Sequence, residues 1–350
     1  LAKIDPLFAT LIQEHGSDLH LEQGQRPKLR KNGELREITN YPILEQAHLL
    51  DLMQEITVKE DWYRFENTGD LDFAYAMGCE ARFRANYFRH FFGYGAIFRL
   101  VPSKIKTLKD LGFPPIIQKF TQFPAGLVLI TGPTGSGKST TLAAIINHIN
   151  ETQTQKIITI EEPVEFFHQN KKSIIMHREV GLDTATFASG LRSALKSDVN
   201  IILVGEMRDQ ETIQLALTAA EMGILVYGTL HTNSAVKTID RIIDVFPTAQ
   251  KSQIRTILAN TLKGVLAQQL IPNKDRTQRF AAYEIMFSMP ALGPIIQSGE
   301  TPRLTSEIQA NGKHGMILMD DCLIRLVNEK KITDQDAYMK AVNKSRFLSI

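Results

Sequence analysis

Residues 132–140 read GPTGSGKST, and the eight positions from Gly132 to Ser139 fit the spacing G-x-x-x-x-G-K-S. Glycines at 132, 135 and 137 permit backbone conformations that a side chain would hinder. Consecutive N–H groups can then turn toward one anion at the positive start of a helix. That arrangement is a cradle for phosphate oxygens. Pro133, Thr134 and Ser136 complete the loop, and Lys138 adds a point charge near the β and γ phosphates of a nucleoside triphosphate. Ser139 offers a hydroxyl to a metal ion, and Thr140 reaches toward the α phosphate. ATP and Mg2+ are the cofactors this spacing implies.

Three further stretches carry groups that phosphoryl transfer needs. NIILVGEMRD (200–209) runs an apolar strand into Glu206, whose side chain can reach the metal directly or through water. TIEEPVEFFH (159–168) sets Glu161, Glu162 and Glu165 at another strand's end, where carboxylates order magnesium and orient the attacking water. YGTLHTNSA (227–235) places His231 directly after the strand ILVYGTL. An imidazole titrates near pH ~6.5, so a neighbouring γ phosphate readily changes its charge, and the residue suits a sensor.

The elements that must position these groups are legible in the apolar pattern. GLVLITG, KIITI, NIILVG and ILVYGTL are near-continuous apolar runs separated by helical patterns such as TFASGLRSALKS and ETIQLALTAAEM. Strands buried on both faces and alternating with helices predict an α/β fold with a largely parallel sheet. All four motifs then stand at strand ends or the turns that follow.

Residues 1–101 have a different character and predict a smaller α+β domain. Ile4, Leu7, Phe8, Leu11 and Ile12 are spaced for a first helix, Asn32-Gly33 marks a hairpin, a second helix falls near 44–58, and strands rich in Phe and Tyr follow. Pro102, Pro114 and Pro115 mark a linker over 102–115. The core domain is expected over 116–272, and a C-terminal strand and helical region over 273–350. Three segments carry plainer expectations. His20 in SDLHLEQG reads as an exposed strand position, NKKSIIMHREVG as a solvated basic loop, and IRTILANTLKGVLAQQLIP as a helical packing segment.

Forty basic residues against thirty-eight acidic ones give a formal charge of +2, so no global field draws the chain onto nucleic acid or anionic lipid. Cys79 and Cys322 are the two cysteines, too few for a disulfide framework or a four-cysteine zinc site. The first helix carries Asp5 and Glu14, unlike a signal peptide, and no uninterrupted apolar run reaches the ~20 residues that span a bilayer. A cytoplasmic location in a reducing compartment is the expectation.

Taken in order, GPTGSGKST, IEEPVEF, NIILVGEMRD and GTLHTNSA, with GSDLHL near the start, resemble the twitching-motility ATPases of type IV pili, a branch of the secretion ATPases. The resemblance covers about residues 17–290. It implies a RecA-like P-loop ATPase domain behind a PAS-like N-terminal domain, and a homo-hexameric ring with ATP between neighbouring subunits. It puts the catalytic glutamate on Glu165, the Walker-B glutamate on Glu206, which with Ser139 holds the metal, and the histidine-box histidine on His231. Arginines that approach the phosphates from the N-terminal domain fall on Arg82, Arg84 and Arg99.

The family's D-P-D before the Walker-B strand is Asp198-Val199-Asn200 in this chain, Glu162 stands where aspartate is usual, and the retraction-linked A-I-R-N segment corresponds to PALGPIIQSGE. The implied activity is pilus retraction powered by ATP hydrolysis. The implied partners are an inner-membrane pilus platform protein and a paralogous pilus ATPase, with the ring peripheral at the cytoplasmic face of the inner membrane.

A pilus-extension or type II secretion ATPase is the neighbouring alternative. Many of those carry a four-cysteine zinc insertion that two cysteines cannot form. A RecA-like nucleic-acid translocase is the alternative of another class, and the near-neutral charge argues against it. A catalytically weak ring assisting an active paralogue is disfavoured by intact Lys138, Glu165 and Glu206.

Overall fold

The computed structural model describes residues 2–31, 33–78, 81–101 and 105–347. Leu1, Asn32 of the expected hairpin, Cys79 and residues 102–104 of the expected linker lie outside the described residues. The chain divides into two compact units, 1–104 and 105–350.

The first unit runs α1 (Asp5–Gln13), β1 (Asp18–Glu22), β2 (Lys28–Lys31), β3 (Glu34–Glu37), α2 (Gln46–Glu55), α3 (Lys59–Thr68), β4 (Asp70–Met77), β5 (Ala81–His90) and β6 (Gly93–Val101). Its strands form one antiparallel sheet in the order β3-β2-β1-β6-β5-β4. Strict alternation explains which face is covered. Ala81, Phe83, Ala85 and Tyr87 of β5 are buried, while Arg82 and Arg84 between them are exposed. Phe8 from α1 stacks on Phe83 with ring centroids 3.9 Å apart, and Phe98 of β6 meets the same ring edge-on. His20 departs from its expected exposure. It is half-buried, its Nε2 lacks a hydrogen-bond partner among the described residues, and burial pushes its pKa down.

The second unit begins its regular structure with a 3-10 turn at Pro115–Thr121 and then runs β7 (Gly126–Thr131), α4 (Lys138–Thr152), β8 (Lys156–Glu161), β9 (Ile174–Glu179), α5 (Phe187–Ala194), β10 (Ile201–Val204) and α6 (Gln210–Glu221). It continues through β11 (Leu225–Leu230), α7 (Ala235–Asp244), α8 (Thr248–Thr261), β12 (Leu262–Pro272) and β13 (Arg279–Phe287). The last helices are α9 (Leu292–Ser298), α10 (Arg303–Ala310), α11 (Met319–Asn328) and α12 (Asp334–Lys340). Its seven-stranded sheet has the order β13-β12-β7-β11-β10-β8-β9, parallel throughout except for β13 on β12. Every residue of β7, β10 and β11 is buried, as their unbroken apolar runs predict.

Two segments differ from their sequence expectations. NKKSIIMHREVG is not simply a solvated loop, because Ile174–Glu179 pairs with β8 as the edge strand β9. Only Ile175 of β9 is buried, so an exposed edge strand offers little apolar signal. IRTILANTLKGVLAQQLIP is helical only to Thr261, after which Leu262–Pro272 extends as β12 between β7 and β13. Gly264 is what the strand requires there. A Cβ on it would lie 2.6 Å from the Phe120 ring and 2.7 Å from the Met286 carbonyl.

One buried carboxylate ties both α7 and α11 to the sheet. Glu284 of β13 accepts from the backbone N–H of Ala235 at 2.7 Å and of Met319 at 3.2 Å, the first residues of α7 and α11. Among the described residues, no helix is long and apolar enough to cross a membrane.

Candidate active site

In the parallel sheet, Thr131 pairs with Leu230, while Val204 pairs with both Gly228 and Ile160. The carboxyl ends of β7, β8, β10 and β11 therefore share one edge, where ligands of open α/β sheets bind. The residues that follow line a cleft of about 410 Å³, among them Lys138, Ser139, Glu161, Glu165, Glu206 and His231. Thr134, Gly135, Gly137 and Thr140 line it as well.

The loop between β7 and α4 has the conformation its glycines permit, with φ of +147° at Gly132, +77° at Gly135 and +88° at Gly137. Gly132 is also sterically required. A Cβ there would stand 2.2 Å from the carbonyl of Gln268 and 2.6 Å from Ser136 Oγ. Ser136 and Gly132 form the buried underside of the loop, and Pro133 stays at its outer surface. The Lys138 ammonium donates to the carbonyls of Gly132 at 2.8 Å and Pro133 at 3.2 Å. Burial pushes its pKa down, and the nearby Glu206 and Glu165 carboxylates oppose that shift.

Gln268 was not singled out by sequence, yet it fastens this loop to β12. Its side-chain amide donates to the Ser136 carbonyl at 2.7 Å and accepts from the Thr141 hydroxyl at 2.9 Å. The available signal was the polar pair Gln268-Gln269 inside an apolar strand run, since a buried amide must find partners.

The Glu206 loop is held at both ends. Met207 N donates to the Thr229 carbonyl at 3.0 Å, the Thr229 hydroxyl donates to the Gly205 carbonyl, and Asp209 caps α6 by accepting from Thr212 N at 2.9 Å. Gly205 lets two acidic loops approach, since a Cβ on it would lie 3.1 Å from Glu161 Cα. Glu206 Oε1 is 2.6 Å from Arg208 Nε and 3.0 Å from His231 Nε2. Burial alone would push the Glu206 carboxyl up. The hydrogen bond from Arg208 and the pull of His231 outweigh it and hold the pKa below the ordinary value.

Glu161, the last residue of β8, behaves oppositely. Burial pushes its carboxyl up to about 7, and the Thr159 hydroxyl and the Glu165 backbone N–H only partly compensate. Two neighbouring carboxyls therefore favour different protonation states. Arg208 and Thr229 belong to this site beside Glu161 and the other residues that the motifs identified, and Arg279 of β13 also lines the cleft.

A second cavity of about 760 Å³ adjoins the first in the same unit and shares Gly137, Thr140, Leu270 and Arg279 with it. Phe113, Leu111 and Phe280 give it apolar walls.

Arg82, Arg84 and Arg99 lie in the first unit. Arg84 and Arg99 are directly opposite one another on β5 and β6, and Arg82 faces Val101. Arg99 Nε donates to Asp18 Oδ1 at 2.8 Å. The structure thus brings Glu165, Glu206, His231 and the phosphate loop together, and it gathers the arginines on adjacent strands of the other unit.

The donor set also fits magnesium. Ser139 and Glu206 offer oxygen atoms within the cleft, and no group of three or more His, Cys, Asp or Glu among the described residues forms a metal cage. Magnesium is commonly held by one or two carboxylates with substrate phosphates, and rarely by an all-protein cage.

The sequence model of the family described as "Type II/IV secretion system protein" matches residues 2–341. The chain is 46% identical over 338 residues to the type IV pilus retraction ATPase PilT of Pseudomonas aeruginosa, covering 97% of this chain and 98% of the relative. It is 44% identical over 317 residues to a twitching motility protein of Neisseria gonorrhoeae, covering 91% and 84%. The crystal structure of the pilus retraction motor PilT with bound ADP superposes with a TM-score of 0.92 at 37% identity, covering 100% of both chains.

Proposed function

The chain belongs to the type II/IV secretion system protein family, and from that premise we propose that it hydrolyses ATP in the cleft above Lys138 to power retraction of a type IV pilus. One observation carries this reading: Lys138, Ser139, Glu165 and Glu206 converge on one cleft in a chain similar over nearly its whole length to a retraction ATPase.

The family resemblance and the convergence of these groups on one cleft support the following roles. The amides of Gly135 to Ser139 receive the phosphates, and Lys138 exchanges its loop carbonyls for phosphate oxygens. Ser139 and Glu206 would hold magnesium, which when bound would supply neutralisation of the charge developing on the transferred phosphoryl group. Glu165 orients the attacking water, and His231, hydrogen-bonded to Glu206, registers the γ phosphate. The cavity beyond Thr140, walled in part by Leu111, Phe113 and Phe280, receives the nucleoside.

Six subunits form the working ring, and Arg82, Arg84 and Arg99 approach the phosphates bound by a neighbouring subunit. Loss of the γ phosphate then removes charge-assisted bonds between two rigid bodies and lets them reorient. The ring works at the cytoplasmic membrane face, on an inner-membrane pilus platform protein and beside a paralogous pilus ATPase.

Replacing Lys138→Ala or Glu206→Gln in the native host tests the reading. The expected result is loss of ATP turnover with surface filaments that accumulate and never shorten. Filaments that vanish would instead make the chain an extension motor. Steeply salt-dependent binding to single-stranded DNA by the purified protein would make it a translocase.

A further inference from the structure

Glu206 Oε1 carries two donors, and their relations to a metal differ. His231 follows β11, its side chain 47% exposed, at the turn into α7, whose first N–H groups are capped by Ser234 and Glu284. Arg208 sits only two residues beyond Glu206, with its side chain 65% exposed and its Nε 2.6 Å from the carboxylate oxygen. The other acid that acts on its guanidinium is Glu162, one residue past the end of β8.

A carboxylate oxygen that already accepts from two nitrogens has little lone-pair capacity left for a hard cation. A metal that uses this oxygen must displace a donor. A guanidinium is the donor that cationic charge repels, and an exposed side chain leaves at little cost.

We propose that Arg208 is a stand-in for the metal: its guanidinium holds the metal's place on Glu206 while the site is empty and withdraws toward Glu162 when magnesium arrives with the nucleotide. This rests on the nucleotide reading above. It also explains how a triphosphate enters an edge lined by Glu161, Glu162, Glu165 and Glu206, because one arginine offsets part of that repulsion beforehand. Removing Arg208 therefore acts in two directions. Metal-free nucleotide meets more repulsion, while magnesium meets less competition.

The test compares dissociation constants of a fluorescent ATP analogue in EDTA and in excess Mg2+, at one ionic strength, for wild type, Arg208→Ala and Arg208→Lys. In Arg208→Ala the ratio of the EDTA constant to the Mg2+ constant rises at least about three-fold, the scale expected of an exposed ion pair. Arg208→Lys returns the ratio part of the way, since an ammonium restores charge without the fork. If Arg208 only braces the loop, both constants rise together; an unchanged or smaller ratio overturns the proposal. Wild type that binds in neither condition overturns the nucleotide reading itself. Should Arg208→Ala fail to fold, Arg208→Gln carries the same comparison, because it keeps a polar chain and lacks the charge.

Discussion

His231 Nε2 lies 3.0 Å from Glu206 Oε1, so the histidine that follows β11 and the carboxylate that follows β10 form one polar unit across two loops. Glu206→Gln removes the charge and keeps the side chain's length. Phosphate release should fall about 100-fold or more while nucleotide affinity changes only a few-fold, as for loss of a group that acts mainly in the transition state. His231→Ala should cost about ten-fold in turnover. Steady-state phosphate release and equilibrium binding, measured on the same preparations, separate the two effects.

Glu161 gives the nucleotide-free protein a pH-dependent stability. Its pKa is about 7 in the fold against an ordinary 4.5. Between those values the unfolded chain has released the proton and the folded chain has kept it, so stability falls as pH rises through that window. At pH 8 the buried charge costs on the order of 2–4 kcal/mol. Glu161→Gln should therefore raise the unfolding midpoint at pH 8 and leave it nearly unchanged at pH 4. Thermal melts of both proteins at the two pH values give the comparison, and an equal shift at each would contradict it.

Gln268→Leu should loosen the phosphate loop while leaving the loop's own residues unchanged. It strips partners from the Ser136 carbonyl and the buried Thr141 hydroxyl, at a cost of about 1–3 kcal/mol. Urea unfolding should show that loss, and nucleotide affinity should weaken with it. Gly132→Ala is the harsher change, because its Cβ would meet Gln268 backbone and the loop itself must move. Undiminished binding by Gly132→Ala would show that the loop geometry is not required.

Arg84 and Arg99 face one another across β5 and β6, which makes them testable as a pair. If they serve a neighbour's phosphates, Arg84→Ala and Lys138→Ala are each inactive alone, yet mixing the two proteins restores measurable turnover. Some neighbouring pairs in the mixture then combine an intact phosphate loop with an intact arginine. Mixtures as silent as their components would place the arginine's effect within its own subunit.

The sheet and the phosphate site were legible because burial on both faces leaves an unbroken apolar run, and because glycine spacing is dictated by phosphate geometry. β9 was not, since an edge strand with one buried residue resembles solvated chain. β12 was not, because LKGVLAQQL satisfies helical and extended periods alike and only its place between β7 and β13 decides. Glu206 is legible from its strand, whereas Arg208 is not. Its partner is set by how the chain turns before Asp209, and a lone arginine after a strand carries no periodic signature. Gln268 carries no local signature for a related reason, since its partners lie 127 and 132 residues away in sequence.

The two-pronged grip of Glu284 has a consequence for the far end of the chain. One carboxylate receives the helix that begins four residues after His231 and the helix that begins at Met319. A truncation that removes Met319 would strand one of its oxygens in the interior, so a deletion that never approaches the cleft would still unsettle the histidine turn.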